Sequence, residues 1–462
     1  MTSDRSICDL TATELARAIA RGELSSREAV EAHLARIASL DTGLAAFVTV
    51  DEEGARRAAQ MCDAASAPIG PLHGVPIGIK DLTDTAELAT TYGSVLFRDH
   101  VPVEDDLVVA RLRRAGAIIV GKTNTPEFGF GAVCTNRLRG PTRNPFNPAL
   151  TSGGSSGGSA VAVAAGLVPL AHGTDFGGSV RTPASFCDVA SIRPTPGRIP
   201  SPRRPLGWDM FATHGFLARG VEDLELALSV CVGGEENDPL SLGSVSDDRA
   251  IAGRPRIAVT PDFGVAPVAR DVRLRFGDAC EALARVADVV GGSPECGGAI
   301  ETFRTLRAAH IANSYGELLS TRRAELTPTV IWNIEAGANL SAEDYLNAER
   351  RRTAIYRSFR ALFGRADFLI APAASVFPWP NEISDVTAID GAAMETPIDY
   401  LAVTFIVSLV GFPVLTIPVR RAVNELPFGI QVIALPGCEA RLFAFGRILE
   451  NELGFSHRRP PL

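Results

Sequence analysis

Apolar residues near the start of the chain recur at the spacing of one face of an α-helix. Leu15 and Ile19 show this spacing, and a second stripe of the same kind follows soon after. Thr11 and Ser25 each precede a stripe and are each followed three residues later by glutamate, which is the pattern of a capping box. We therefore predict that the chain opens with two amphipathic helices.

Farther along, short apolar runs alternate with helical patterns. Residues 75–79 and 117–120 are predicted to be buried strands, and residues 107–115 between them a helix. The small apolar residues 160–167 and the apolar stripe within 221–232 predict two more helices. An alternation of helices with short apolar strands is typical of an α/β fold.

One uncharged run, residues 401–419, is long enough to span a bilayer. Pro413 and Pro418 fall inside this run and would break a single helix, so we expect a buried strand and turn rather than a membrane span. The runs at 361–372 and 415–434 also have the composition of strands. The sequence therefore predicts a large buried sheet and no membrane partner.

Composition and charge narrow the classes of function. The 462 residues are 46% hydrophobic and 21% charged, which is typical of a soluble globular protein. The net charge of −8 and the lack of a basic tract argue against a nucleic-acid partner. The eight cysteines include no CxxC pair and no Cys/His spacing for zinc, so we expect buried thiols in a reducing compartment and no metal. Residues 1–10 lack a signal-peptide pattern, which favours a cytoplasmic location.

Two glycine-framed serine loops lie close together in the first half of the chain. The first covers residues 153–159 (GGSSGGS) and the second covers residues 177–179 (GGS). Glycine lets backbone N–H groups turn toward a ligand. A serine among such groups can attack a carbonyl carbon while the N–H groups stabilise the oxyanion that forms. The two loops therefore indicate acyl-transfer chemistry.

Two other interpretations of these serines fit less well. A phosphate-binding loop would need a GxxxxGK[ST] pattern, which the chain does not contain. Residues 154–158 satisfy the GxSxG pattern of an α/β-hydrolase, but loop residues precede them where that fold has a strand. The histidines that such an enzyme would need lie in no recognisable motif: His172, His214, His310 and His457.

A third interpretation pairs the serines with Lys80. Alternation along the strand at 75–79 places Ile77 and Ile79 on one face, and Gly78 and Lys80 on the other. Burial lowers the pKa of a lysine because it disfavours the charged form. A neutral Lys80 could then act as a base toward a serine.

Ordered, collinear segments of the chain resemble the amidase signature family of serine amidohydrolases. These segments are residues 71–81 (PLHGVPIGIKD), 121–127 (GKTNTPE), 140–145 (GPTRNP), the first serine loop, 173–184 (GTDFGGSVRTPA), 193–198 (RPTPGR) and, more weakly, 427–431 (PFGIQ). Because the segments cover most of the chain, the resemblance implies the family's α/β fold, in which a large mixed central β-sheet is covered by helices on both faces.

The same resemblance implies the organisation of the chain. Residues 1–462 are expected to form a single amidase domain. Its signature core would span about 65–235, and a variable region at about 235–400 would shape the substrate site. A polar stretch at 233–253 is predicted to link the two.

The family pattern also implies a role for each matching side chain. Ser179 would be the nucleophile and Lys80 the base. Ser155, which would follow a cis peptide bond from Gly154, would transfer the proton between them.

Backbone groups of the second loop would form the oxyanion hole. The N–H groups concerned belong to Phe176, Gly177, Gly178 and Ser179, and Gly129 falls where the family's backbone contacts substrate. Phe176 stands where the family usually has a small or β-branched residue. Since the role there is carried by backbone, this departure affects only the expected shape of the pocket.

Other residues near the two loops are expected to have structural roles. Asp175 and Arg181 flank the nucleophile, and we expect them to hold the loop by hydrogen bonds. Four aromatic residues either line an apolar acyl pocket or pack in the core: Phe128, Phe130, Phe176 and Trp208.

The resemblance implies an enzyme that hydrolyses the C–N bond of a linear amide through an acyl-serine intermediate, without metal or organic cofactor. Small aryl or alkyl amides are the expected substrates, with carbamates (urethanes) and esters as related ones. The enzyme is expected to act as a monomer or homodimer. Two alternatives stay open, namely the glutaminase subunit of a tRNA-dependent amidotransferase, and a non-catalytic binding protein on the same fold.

Overall fold

The structure, a computed structural model, describes residues 6–243, 251, 253–420 and 425–462. Its α-helices are α1 Ala12–Ala20, α2 Ser26–Leu44, α3 Glu52–Ala64, α4 Leu107–Arg114, α5 Gly157–Ala164, α6 Arg181–Phe186, α7 Val221–Cys231, α8 Arg270–Leu283, α9 Ala299–Arg322, α10 Pro328–Glu335, α11 Ala342–Leu362, α12 Ala402–Val410 and α13 Glu439–Leu453. Its strands are β1 Phe47–Val50, β2 Pro76–Lys80, β3 Ile118–Thr123, β4 Arg143–Asn144, β5 Asn147–Thr151, β6 Leu170–Asp175, β7 Ala190–Arg193, β8 Thr213–Ala218, β9 Arg256–Val259, β10 Asp288–Val290, β11 Phe368–Pro372, β12 Ala388–Ile389, β13 Ala392–Ala393, β14 Val414–Pro418 and β15 Gly429–Ile433.

Eleven of these strands form one mixed sheet. The strand order is β1-β3-β2-β6-β8-β7-β14-β15-β11-β9-β10. The pairs β2/β3, β2/β6, β9/β10 and β9/β11 are parallel, while the remaining pairs are antiparallel. The predicted α/β class with a large mixed central sheet is therefore confirmed. Three of its strands, β9 to β11, come from the 235–400 region.

Successive residues along the strands enter two different hydrophobic cores. In β8, Phe216 belongs to one core and Leu217 to the other, and in β3 Ile119 and Val120 divide in the same way. Because side chains alternate across a strand, the two cores lie on opposite faces of the sheet. Helices α7 and α13 pack in the first core, and α5 and α6 pack in the second.

The two N-terminal helices begin at the predicted caps. Thr11 Oγ1 accepts a hydrogen bond from Glu14 N at 3.1 Å, and Glu14 Oε2 accepts one from Thr11 N at 2.8 Å. Ser25 and Glu28 make the same reciprocal pair. Both predicted capping boxes are confirmed, and each satisfies backbone donors that a helix start otherwise leaves unpaired.

Two predictions of secondary structure were wrong in part. The run at 401–419 contains helix α12 before strand β14, with Gly411 at φ 72° ending the helix. Every residue of α12 is buried, so the run carries no polar stripe from which a helical period can be read. The run at 361–372 likewise begins with the end of α11.

The predicted linker is described only in part, and the prediction that no helix spans a membrane can be compared with the described helices. Of the linker predicted at 233–253, residues 244–250 and 252 lie outside the described residues. Within the described part of the chain, no helix combines the length and apolarity needed to cross a bilayer.

Candidate active site

Lys80 lies at the end of β2 on the sheet face that the alternation predicted. Ile77 and Ile79 enter the first core, whereas Lys80 points to the side where the serine loops lie. Its Nζ donates to Ser155 Oγ at 2.6 Å and to Thr174 Oγ1 at 2.9 Å. Burial lowers the pKa of Lys80 to about 7, although the negative charge on nearby acidic groups opposes this shift. Near neutral pH a substantial share of this amine is therefore uncharged.

The first serine loop is joined to the second through its backbone and one side chain. The Gly154–Ser155 peptide bond is cis, as the family resemblance implied. Ser156 N donates to Ser179 O at 3.0 Å, and Ser156 Oγ donates to Thr174 O at 3.2 Å. These bonds fix the spacing between the loop that carries Ser155 and the loop that carries Ser179.

The second loop is held by a buried carboxylate at the end of β6. Asp175 accepts hydrogen bonds from Gly178 N and Val180 N, each at 3.0 Å. Its carboxylate also lies 2.8 Å from Arg181 Nη2 and 3.3 Å from Arg193 Nη1. Burial opposes the charge of Asp175, but the two guanidinium groups outweigh it and hold the pKa of this carboxyl well below its usual range. Asp175 and Arg181 thus hold the loop, as expected from the sequence.

Helix α12 supports the same loop from the other side. Arg181 Nη1 donates to Thr404 O and to Gln431 Oε1, both at 2.7 Å. Thr404 Oγ1 in turn donates to Gly177 O at 2.7 Å. Gly178 has φ 128°, and a Cβ atom on it would lie 2.3 Å from Thr404 Oγ1. This close approach requires glycine at 178, and sequence reasoning missed the part that Thr404 plays in it.

Phe176 and the second loop carry the backbone N–H groups that were predicted to form the oxyanion hole. No acceptor for the N–H groups of Phe176, Gly177 and Ser179 is found among the described residues. The N–H of Gly178 differs, because it already donates to Asp175. Three of the four donors predicted for the oxyanion hole are therefore available to a ligand in this structure.

A cavity of about 870 Å³ contains both serines and these donors. Gly129 borders it with φ 76°, and a Cβ there would lie 2.9 Å from Leu82 Cδ1 and 3.4 Å from Ser155 Oγ. The structure thus places the predicted residues Ser155, Ser179 and Gly129 around one space. A cavity of this size accommodates a small organic molecule.

Aromatic rings form much of the cavity's remaining wall. Phe128 and Phe130 both pack against Tyr315, with ring centroids 5.1 and 5.3 Å apart. Phe176 also lines the cavity, and its ring stacks on that of Phe211 with centroids 4.9 Å apart. The three phenylalanines thus line the pocket, which was one of the two alternatives for them. Both alternatives were wrong for Trp208, which is 77% exposed and does not border the cavity.

Sequence reasoning also missed the wall that α9 contributes. Phe303, Arg307, Ile311 and Tyr315 follow one another every four residues and all line the cavity. Residues four apart lie on one face of a helix, so this spacing was the signal that could have found them. Helix α9 belongs to the 235–400 region, which was expected to shape the substrate site.

The four histidines weighed against Lys80 have other surroundings. His172 and His214 are buried and contact each other, with 3.0 Å between His172 Nε2 and His214 Nδ1. His457 Nδ1 lies 2.8 Å from Asp188 O. Of the four, His310 alone borders the cavity. Among residues 6–243, 251, 253–420 and 425–462, no group of three or more His, Cys, Asp and Glu side chains is arranged to hold a metal ion.

Known proteins are similar to this chain in sequence and in fold. The sequence profile of the family described as Amidase matches residues 28–443. An acylamidase of Rhodococcus erythropolis is 32% identical over 437 residues, which cover 92% of this chain and 91% of the relative. A glutamyl-tRNA(Gln) amidotransferase subunit of Roseiflexus sp. (strain RS-1) is 33% identical over 494 residues and is covered, like this chain, to 98%.

A solved structure extends the comparison to three dimensions. The crystal structure of a bacterial aryl acylamidase of the amidase signature family superposes with a TM-score of 0.86 at 27% identity, covering 96% of both chains. The shared fold and the family profile point to the same family as the two serine loops and the buried lysine. The chain therefore belongs to the amidase signature family and is an amidohydrolase that acts on amides.

Proposed function

We propose that this amidase cleaves the C–N bond of a small aryl or alkyl amide through an acyl-Ser179 intermediate. The observation that carries the proposal is the 2.6 Å hydrogen bond between Lys80 Nζ and Ser155 Oγ beside a cavity that Ser179 also lines. The aromatic wall suits an aryl or alkyl group, and the relatives named as acylamidases support the same substrate class.

The first step of the reaction forms the tetrahedral intermediate. Neutral Lys80 takes the proton of Ser155 Oγ while Ser155 takes the proton of Ser179 Oγ, and Ser179 attacks the carbonyl carbon. The free Ser179 hydroxyl has no hydrogen-bond partner among the described residues, and such catalytic bonds commonly tighten only when substrate binds. The available N–H groups of Phe176, Gly177 and Ser179 then stabilise the oxyanion.

The following steps form the acyl-enzyme and release both products. Protonated Lys80 returns its proton through Ser155 to the departing amine as the C–N bond breaks. A water molecule then loses a proton to the same pair of groups, attacks the ester carbonyl and frees Ser179 with the carboxylic acid. The pair thus acts as base in each addition and as acid in each collapse, and the proton count closes without another group.

A second candidate function is glutamine hydrolysis in an amidotransferase. The 33% identity to a glutamyl-tRNA(Gln) amidotransferase subunit over 98% of both chains favours it. The aromatic rings that line the cavity favour a substrate with a larger apolar group than the two methylenes of glutamine.

Turnover of a substrate panel tests the proposal. The panel contains acetanilide, an alkyl amide, an aryl carbamate, an aryl ester and glutamine, each assayed with wild type and Ser179→Ala. We expect wild type to cleave the anilide or the alkyl amide, and Ser179→Ala to cleave neither. Hydrolysis of glutamine alone would support the amidotransferase function instead. Amide turnover that persisted in Ser179→Ala would overturn the proposed nucleophile.

A further inference from the structure

Arg307 is a cation inside the cavity with no protein anion beside it. It lies on α9 one helical turn after Phe303, and both residues line the cavity. Across the described residues, its guanidinium makes no hydrogen bond or ion pair. The guanidinium lies over the ring of Phe130, whose centroid is 5.8 Å from Arg307 Cζ.

Two other arginines of α9 show the contrast. Arg304 makes a bidentate contact with Asp399, and Arg322 pairs with Glu325 on the surface. Both of these guanidinium groups thus have carboxylates of the chain as partners. Arg307 differs from them in facing the cavity and in lacking such a partner.

The chain itself compensates the charge of Arg307 only weakly. Burial lowers the pKa of Arg307 to about 10, so the group still carries its charge at neutral pH. A cation over a phenylalanine ring gains only about 0.5–2 kcal/mol. The side chain is only partly buried, so an anionic ligand in the cavity can reach the guanidinium and supply the partner that the chain does not.

Acidic groups elsewhere on the cavity wall do not supply that anion. Asp385 and Glu317 line the same cavity, yet neither makes an ion pair with Arg307 in the described part of the chain. Burial raises the pKa of Asp385, which favours its neutral form. His310 lies one turn from Arg307 and has its own carboxylate, with 3.7 Å between His310 Nδ1 and Asp209 Oδ1.

The position of Arg307 relative to the serine loops is set by two neighbours. Phe303 lies against the nucleophile loop, since a Cβ on Gly177 would be 3.1 Å from Phe303 Cζ. Arg307 is about 6 Å farther along the helix axis. Phe130, under the guanidinium, directly follows Gly129, which borders Ser155. A substrate bound at Ser179 can therefore extend to Arg307 within the same cavity.

We propose that Arg307 binds a carboxylate on the amide substrate, so that the enzyme prefers anionic amides whose charge is remote from the scissile bond. This inference rests on the proposed function and names the substrate class of the same site. A guanidinium presents two parallel N–H donors that match a carboxylate, which makes arginine better suited than lysine to this role.

Matched pairs of substrates test the inference. In the first pair, 4-acetamidobenzoate and 4-isopropylacetanilide differ by a carboxylate or an isopropyl group on the amine side. In the second pair, succinanilic acid and 4-methylpentananilide differ in the same way on the acyl side. The ratio of interest is kcat/KM for the anionic member of a pair divided by kcat/KM for its neutral member. We expect this ratio to be roughly ten or more in wild type for one of the two pairs. The pair that shows the preference identifies the side of the substrate that Arg307 contacts.

Substitutions at Arg307 then assign the preference to this residue. Arg307→Met should bring the ratio close to one, and Arg307→Lys should keep part of it because the charge remains. Arg322→Met is the matched control, because it removes a positive charge from the same helix outside the cavity, and its ratio should equal that of wild type. Thermal unfolding curves check that each variant is folded.

The outcomes separate this inference from the proposed function. Equal kcat/KM values for both members of both pairs in wild type would overturn the role of Arg307 and leave the amidase proposal standing. A fall by the same factor for both members in Arg307→Met would also overturn it. If none of the four compounds is cleaved, their affinities for the Ser179→Ala variant provide the test. Tighter binding of the acids that disappears in the double variant Ser179→Ala/Arg307→Met would support the inference. Equal affinities of the acids and their neutral partners would overturn it.

Discussion

The two walls of the active-site cavity are built from different interactions. The wall that carries Ser179 is held by buried polar groups, among them Asp175 with its two arginines and two backbone donors. The facing wall on α9 is held by aromatic and aliphatic packing, as where Phe303 stacks on Phe405 with centroids 4.1 Å apart. Hydrogen bonds fix residue type and position closely, while apolar packing tolerates exchange of side chains of similar volume. The first wall is therefore suited to fixed chemistry, and the second to selection of substrate.

The largest effects are expected on the polar wall, at the residues that move the proton. Ser179→Ala and Lys80→Met should each lower kcat/KM for the best amide by at least about 10³-fold, because each removes one member of a group that acts as a unit. For the same reason the double variant should be no worse than the single ones. Steady-state kinetics with an acetanilide substrate provides the measurement, and a double variant far below both would contradict a shared pathway.

A somewhat smaller loss is expected from one methyl group in the nucleophile loop. Gly178→Ala places a Cβ against Thr404 Oγ1 at a residue with φ 128°, so the loop must shift and the oxyanion donors move with it. We expect roughly 10²-fold lower kcat and a lower melting temperature.

A glycine of the other wall serves as the control for this change. Gly316 lies in α9, and an added Cβ there meets nothing within 4 Å. Gly316→Ala should leave kcat unchanged and should not lower stability, since alanine is the better helix former. Similar losses of kcat in Gly178→Ala and Gly316→Ala would contradict the proposed difference between the two walls.

The pH dependence should follow Lys80. The mechanism needs its neutral form, so kcat/KM should fall about tenfold per pH unit below about 7 and level off above it. Burial lowers the pKa of His310 below 6.5, so a limb controlled by that histidine would lie at lower pH. His310→Asn should accordingly keep the wild-type limb, and loss of the limb in this variant would remove Lys80 as the base.

Lys80 should also make stability depend on pH. Its pKa is about 7 in the folded chain against an ordinary 10.5, so the unfolded chain binds more protons between these values. The free energy of unfolding should therefore rise with pH across that window and stay flat below it. Lys80→Met should lack this rise and be more stable than wild type near pH 7, as measured by denaturant titration.

The smallest effect is expected on the packed wall. Tyr315→Leu removes ring contacts with Phe128 and Phe130, each worth about 0.5–1.5 kcal/mol in such pairs. We expect KM for aryl amides to rise roughly three- to tenfold, with kcat for a small alkyl amide little changed. Tyr345→Leu, at a residue that is 42% exposed, is the control. A large loss of kcat in Tyr315→Leu would show that this wall also takes part in the chemistry.

The difference between the polar wall and the packed wall also explains which parts of the site could be predicted from the sequence. The two serines stood out because each lies in a glycine-framed loop, and their roles beside Lys80 followed from the resemblance to the amidase signature family. Asp175 and Arg181 were expected to hold the second loop because they flank Ser179. The alternation along β2 placed Lys80 on the correct face of the sheet.

The packed wall could not be assigned in this way. Arg307 and Tyr315 lie well over a hundred residues after Ser179, and only the folded chain brings α9 to the cavity. Helix α12 was missed because all its residues are buried and its sequence shows no period. Trp208 was expected in the pocket or in the core because it is a large aromatic residue, and the structure shows it exposed to solvent.

Covalent labelling tests the central claim most directly. The account predicts that an aryl phosphonate inactivates wild type and that mass spectrometry of the digested protein finds one phosphonyl group on Ser179. Lys80→Met should react far more slowly under the same conditions, because Ser179 then lacks its base. Labelling of another residue with full loss of activity, or labelling of Lys80→Met at the wild-type rate, would contradict a Ser179 nucleophile activated by Lys80.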